Sequence, residues 1–281
     1  MIAIVGGLGA ALSWAFATLS SSRSSRLIGP FSVIAWVMTV GFVVSIGFAI
    51  ATPSGPLGVA ELAGLFVVGV SYNVGLLCAY AALRIGRVSI VAPIIATEGA
   101  GAAVISVVLG EHINVPTTLV LAVITFGVVL AAVERSAGDA RDPHLARAIG
   151  LSLAAAASFS IGLVIAGRLG ATVPPIWVVA SSRIVGVAAI ALPLLLVRRL
   201  RLTRPALPFV VVSGVLEAIG SGLYVIAAHD GVAAAAVLSS QFAAIAAVGG
   251  FVLFGERLQR VQVAGVGLIA IGVTALAAVH A

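Results

Sequence analysis

The chain has no lysine, nine acidic residues and one cysteine in 281 residues, and charged side chains make up only 9% of it. With 62% hydrophobic residues and a mean hydropathy of +1.27, too little polar surface remains to cover a soluble globule. The sequence is that of an integral membrane protein, whose first partner is the lipid bilayer. The apolar runs are about twice as long as a barrel strand and do not alternate, which disfavours a β-barrel. The single Cys78 excludes an intrachain disulfide and reads as a small apolar packing residue inside a span.

Several kinds of chemistry are also missing. There is no G-x-x-x-x-G-K-[ST] loop, so any driving force must be an ion gradient, the substrate's own gradient or a partner. An intramembrane enzyme would need H-E-x-x-H, paired midspan aspartates or a G-x-S-x-G elbow, and none occurs. No catalytic residue, metal or cofactor is assigned: His112, His144 and His280 lie in connections or at the terminus without metal-ligand spacing. The formal charge of +6 does not imply nucleic acid, because nearly all fifteen arginines sit in short connections between apolar runs, where they set topology. Residues 1–20 lack a basic n-region, with Arg23 and Arg26 following the apolar stretch, so they read as an uncleaved first helix.

What the chain does contain is itself, twice. An offset of 145 without gaps lays 146–281 over 1–136, bringing Pro30 onto Pro175, Ser13 onto Ser158, Gly69-Val70 onto Gly214-Val215 and Gly110-Glu111 onto Gly255-Glu256. The domains are then 1–136 and 146–281, joined by a polar linker at 137–145. Gly, Pro and Arg punctuation divides the chain into ten runs at roughly 2–21, 31–51, 60–83, 88–110, 114–133, 146–167, 174–197, 205–228, 231–254 and 260–279. Five spans per copy is an odd number, so the second copy enters the membrane from the opposite side. The expected fold is an all-α membrane protein of ten transmembrane helices in two inverted five-helix repeats.

The arginines agree. Thirteen of the fifteen follow spans 1, 3, 5, 7 and 9; Arg168 lies in the other set and Arg183 within a span. Where copy one has Arg26, Arg84 and Arg87, copy two has Ala171, His229 and Val232; the second copy's Arg198, Arg199 and Arg201 face Pro53, Ser54 and Pro56. Opposite orientation explains the swap, and the positive-inside rule puts both termini outside the cytoplasm.

An ionisable side chain at midspan costs roughly 2.5–3.5 kcal/mol, so such groups normally face a cavity or a partner. Glu98, Arg183, Glu217, Gln241, Tyr72 and Asn73 fall near one depth, with Trp14 as a candidate cavity-lining ring. Their repeat mates differ: Arg183 matches Met38, Glu217 matches Tyr72, Glu98 matches Ala243 and Gln241 matches Ala96. An asymmetric cluster suits an asymmetric ligand, for example a zwitterion with its carboxylate on the planar fork of Arg183 and its ammonium on Glu98 or Glu217. The alternative is that one glutamate neutralises Arg183 permanently, the other then serving a proton or a cationic substrate group. Gln241 and Asn73 serve equally well as interhelical hydrogen-bond glue. Glu111 and Glu256 end their spans as helix-end elements, His229-Asp230 reads as a polar turn, and Pro93 should loosen span 4 just before Glu98.

SWAFATLSSSR in span 1, PPIWVVASSR opening span 7, VSIVAPIIATEGAGAAVISVVLGEH, and VLSSQFAAIAAVGGFVLFGERLQRVQVAGVGLIAIGV near the end resemble an EamA-type member of the drug/metabolite transporter superfamily. The resemblance covers essentially the whole chain. It implies ten helices around a central cavity, alternating access, and a small polar metabolite, amino acid or drug as substrate. It would also place an arginine in span 2, where this chain has Met38, and termini in the cytoplasm, where the arginines say otherwise. The function expected is a secondary transporter of a small polar or zwitterionic metabolite, an exporter with proton coupling in a bacterial plasma membrane; a lipid-carrier flippase of the same superfamily is the alternative. Oligomeric state is not legible.

Overall fold

The computed structural model describes residues 2–85, 91, 94–132, 144–246 and 260–279. Pro93, residues 133–143 with most of the linker, Gly255, Glu256, Arg257 and His280 lie outside the described residues. Among those described there are helices and no strand: α1 (Ile2–Ile28), α2 (Pro30–Ala51), α3 (Val59–Ile85), α4 (Glu98–Val108), α5 (Val115–Ala132), α6 (Leu145–Leu169), α7 (Pro175–Leu196), α8 (Leu207–Ala227), α9 (Val232–Ser239) and α10 (Arg260–Val279). Six of these, the first three of each half, are long and apolar enough to cross a membrane, and the others contribute shorter apolar helices. Val59, Ile50, Val108 and Leu196 stand largely exposed, as lipid-facing side chains do.

The two halves exchange places without altering the packing. α1 packs on α8 as α6 packs on α3; α2 packs on α8 as α7 packs on α3; α4 packs on α6 as α9 packs on α1. The remaining large contacts join each helix to its own repeat mate: α2 to α7, α4 to α9 and α5 to α10. These mates run antiparallel. On α5 and α10, Gly127 lies against Gly265 and Ile269 while Ile124 lies against Gly272. On α2 and α7, Met38 meets Arg183 while Thr52 accepts a hydrogen bond from Trp177. A twofold operation that reverses helix direction has its axis across the helices, in the plane of the membrane, so the repeats are inverted.

Proline at the first helical position starts both α2 and α7, at the mates Pro30 and Pro175. The helices then diverge. α2 stays regular, whereas α7 is α-helical to Gly186, widens to a π-turn over Val187–Ala191 and resumes at Leu192–Leu196. Pro193 stands two residues beyond that turn; it lacks an N–H and clashes with the carbonyl four residues back, a conflict the wider turn relieves.

Spans 4 and 9 are both interrupted midway. Helix ends at Ile95, turns at Ala96-Thr97 and restarts as α4; α9 turns at Ser240-Gln241 before helix resumes over 242–246. Sequence reasoning expected loosening only in span 4, from Pro93. Hydroxyls bonded three residues back stand at both breaks: Thr97 Oγ1 donates to the Ile94 carbonyl at 2.6 Å, Ser239 Oγ to Ala236 at 3.1 Å and Ser240 Oγ to Val237 at 2.9 Å. Small residues bring the broken segments together, since a Cβ at Gly99 would lie 2.6 Å from the Ala236 carbonyl oxygen.

Candidate functional site

Eight residues beyond its initiating proline, each of α2 and α7 carries a side chain to the twofold axis. On α7 it is Arg183, fully buried; on α2 it is Met38, also fully buried. They touch: Arg183 Nη1 donates to Met38 Sδ at 3.6 Å. A repeat-related glycine receives each one. A Cβ at Gly41 would lie 3.0 Å from Arg183 Cδ, and a Cβ at Gly186 would lie 2.5 Å from Met38 Cγ. The segments MTVG at 38–41 and RIVG at 183–186 are therefore one device used twice, with two residues changed, Met38 for Arg183 and Thr39 for Ile184.

A second mate pair meets beside the first. Tyr72 Oη donates to Glu217 Oε2 at 2.5 Å, and the Tyr72 ring lies under the guanidinium with its centroid 5.1 Å from Arg183 Cζ. Arg183 Nη2 donates to Ser221 Oγ at 3.0 Å and lies 3.9 Å from Glu217 Oε2. Ser221 in turn donates to the Glu217 carbonyl at 2.8 Å, one helical turn back on α8. The ion pair is loose, beyond hydrogen-bond distance. Arg183 Nε, also buried, has no partner at all.

Asn73 lies beside Met38, its Oδ1 and the Met38 sulfur each 2.7 Å from where a Cβ at Gly186 would stand. Its Nδ2 donates to the carbonyls of Gly69 at 2.8 Å and Ser182 at 2.9 Å, tying α3 to α7, while Oδ1 is buried without a donor. The other candidates stand apart from this cluster. Glu98 is buried in the first turn of α4, where its carbonyl accepts from Ser160 Oγ at 2.8 Å, and no cation lies within ion-pair distance of it among the described residues. Phe159, the neighbour of Ser160, stacks edge-on against Tyr72 with centroids 6.0 Å apart, so α6 touches both Glu98 and the arginine cluster. Trp14 packs against Tyr224 and Phe242 with centroids 6.2 and 6.4 Å away. Gln241 sits at the α9 break next to Phe242, buried, with Nε2 unpartnered.

A cleft of about 390 Å³ opens at one end of the bundle, lined by Glu111, His112, Arg168, His229 and Asp230 among others. Glu111 accepts the Ala233 N–H at 3.2 Å, capping the start of α9, and Asp230 accepts the Ala3 N–H at 3.3 Å, doing the same for α1. Arg168, the exception to the arginine asymmetry, donates from Nη2 to the Leu109 carbonyl at 2.8 Å, at the end of α4. These residues tie the helix ends together.

Residues 1–133 and again 146–278 match the model of the EamA-like transporter family. The chain belongs to that family. It is accordingly a membrane transporter. A solved crystal structure of a protein superposes with a TM-score of 0.80 at 20% identity, covering 97% of this chain and 95% of the other, which shows a shared fold. No curated protein matches the chain. In this EamA-like transporter, sequence depth alone had marked Tyr72, Asn73, Arg183 and Glu217. Met38, Gly41, Gly186 and Ser221 were missed as site residues, although the offset of 145 already aligned MTVG with RIVG.

Proposed function

We propose that the protein is a ten-span secondary transporter working by alternating access, and that Arg183 anchors the carboxylate of a small polar or zwitterionic metabolite such as an amino acid. The observation that carries this is a fully buried guanidinium on the twofold axis whose Nε has no acceptor and whose nearest carboxylate stands off at 3.9 Å. A buried charge left so incompletely satisfied is costly, and a substrate carboxylate on the Nε and Nη2 edge supplies the missing acceptors in bidentate form. Its place on the axis supports alternating access, since a group at the symmetry centre faces either side when the halves exchange conformations. Glu98, buried without a cation within reach among the described residues, is the group assigned to a coupling proton. Export across a bacterial plasma membrane completes the proposal.

Purified protein in proteoliposomes, loaded with radiolabelled amino acids under an imposed pH gradient, tests it. Saturable flux whose apparent affinity Arg183→Lys lowers by about tenfold to a hundredfold is the expected result. Movement of a lipid-linked sugar instead, with no amino-acid flux, would replace the proposal by a flippase.

A further inference from the structure

Glu217 and Arg183 carry opposite charges, lie side by side and do not bond. Their nearest approach, Oε2 to Nη2, is 3.9 Å, about 1 Å beyond a charge-assisted hydrogen bond. The acid is not walled in, since 18% of its side chain is exposed. What occupies it is Tyr72. The same oxygen that stands off from the guanidinium accepts the phenol proton at 2.5 Å, and the phenol ring lies against the guanidinium with its centroid 5.1 Å from Cζ. One side chain therefore touches both charges, with its donor on the acid and its ring on the cation. The ring is itself supported. Phe159 of α6 meets it edge-on with centroids 6.0 Å apart, and Phe159 fits there because α3 has no side chain at Gly75, where a Cβ would lie 2.6 Å from a Phe159 ring carbon.

We infer that Tyr72 is a positioning residue that holds Glu217 off Arg183, so that the guanidinium stays open to a substrate carboxylate instead of closing on the protein's own. This rests on the reading of Arg183 as the substrate anchor, and it adds the device that keeps the anchor free. Without the phenol, the nearest charged donor to Glu217 Oε2 is Arg183 Nη2. A carboxylate tethered on α8 competes with a dissolved one at a large effective concentration, because its encounter with the arginine is intramolecular. The phenol ends that competition by giving the acid a donor of its own. Position 72 is the repeat mate of 217, so the symmetry of the fold brings this side chain to the acid across the axis. Tyrosine meets both demands of the place: it donates to a carboxylate and presents a ring to a guanidinium.

Purified full-length protein in lipid nanodiscs is titrated with the twenty free L-amino acids, and the one that binds is carried through the cycle of parent, Tyr72→Phe, Glu217→Gln and the double variant. Tyr72→Phe should weaken binding by about tenfold to a hundredfold, the worth of one charge-assisted hydrogen bond given up to Glu217. In the Glu217→Gln background the same change should cost less than about threefold, because no carboxylate remains to close on the arginine. A tyrosine that is only structural, or that touches the substrate, would lose the same factor in both backgrounds, and that result overturns the inference. So does a Tyr72→Phe protein that binds like the parent. A second measurement needs no ligand: the structure of Tyr72→Phe should show a Glu217 carboxylate oxygen about 2.8 Å from Arg183 Nη2. An acid that stays near the parental 3.9 Å overturns the inference whatever binds. If Arg183→Lys weakens amino-acid binding while Tyr72→Phe does not, the anchor stands and the role of Tyr72 alone fails. If Arg183→Lys binds like the parent, or no amino acid binds the parent, the anchor fails and takes the role of Tyr72 with it.

Discussion

Tyr72 and Glu217 hold the same position in the two halves of the chain, and they hydrogen-bond to each other at 2.5 Å. Arg183 and Met38 do likewise at 3.6 Å. Two residues that are mates under a twofold operation and also touch must lie on its axis. That fixes a rule for this site: an axis position cannot carry the same charge in both halves, because the two copies would face each other at contact distance. The missing span-2 arginine is thus explained by geometry. Met38 is neutral because Arg183 is charged.

Met38→Arg should therefore be severely destabilising, since two unit charges at about 4 Å repel by roughly 4 kcal/mol at an effective dielectric of about 20. Thermal unfolding in detergent measures it. The double variant Met38→Arg with Arg183→Met should recover most of the lost stability. Equal destabilisation in the single and double variants would show that the loss came from volume and not from like charge.

Tyr72→Phe deletes the phenol that donates to Glu217 while leaving the ring beneath Arg183. Stability should fall by about 1–3 kcal/mol, the cost of leaving a charged acceptor short of one donor. Adding Glu217→Gln to Tyr72→Phe should cost less than the separate effects predict. Strict additivity would mean that the two side chains are uncoupled.

Glu98→Gln should abolish accumulation driven by a pH gradient while exchange of substrate across the membrane persists, because the neutral amide imitates a protonated carboxyl. No ion pair is lost with it among the described residues, so thermal stability should hardly change. Glu217→Gln differs in removing the carboxylate that stands 3.9 Å from Arg183, and should lower stability as well. Retention of full gradient-driven transport by both variants would eliminate proton coupling through these acids.

The arginine asymmetry predicts that the connection at Asn114 faces outside and that at Arg201 faces the cytoplasm. Single cysteines at these positions, in a Cys78→Ala background, are to be labelled with an impermeant maleimide in intact cells. Labelling at 114 alone is expected. Labelling at 201 alone would reverse the orientation and bring it into line with the habit of the family.

Much of this was legible in the sequence, for definite reasons. A fixed offset carries fold information that local propensity does not, so the inverted repeats could be inferred from loop arginines before any helix was seen. The depth of Arg183, Glu217, Tyr72 and Asn73 followed from counting along spans. Contact across the axis did not: the offset names the mates but is silent on which of them touch. The α9 break was missed because no proline signals it; what stands there is a pair of adjacent serines whose hydroxyls bond the carbonyls three residues back, a pairing that Ser181 and Ser182 also show within continuous helix. α1 was expected to end near residue 21 yet continues to Ile28, since hydropathy marks the edge of the bilayer while the helix runs on past Arg23, with Ser24 Oγ bonded to the carbonyls of Ser20 and Ser21. Gln241 shares the depth of the arginine cluster but stands at the α9 break, and the candidate lining ring Trp14 packs against Tyr224 and Phe242; depth alone cannot separate faces.

The most direct test of Arg183 as the substrate anchor is the binding affinity of Arg183→Lys for the transported amino acid, measured alongside its thermal stability. Lysine keeps the charge but lacks the planar fork, so affinity should fall by about tenfold to a hundredfold, the worth of one charge-assisted hydrogen bond, with stability nearly unchanged. The contrary result is a protein carrying both Arg183→Ala and Glu217→Ala that regains parental stability and transports normally; Arg183 would then be a structural partner of Glu217 that never meets the substrate.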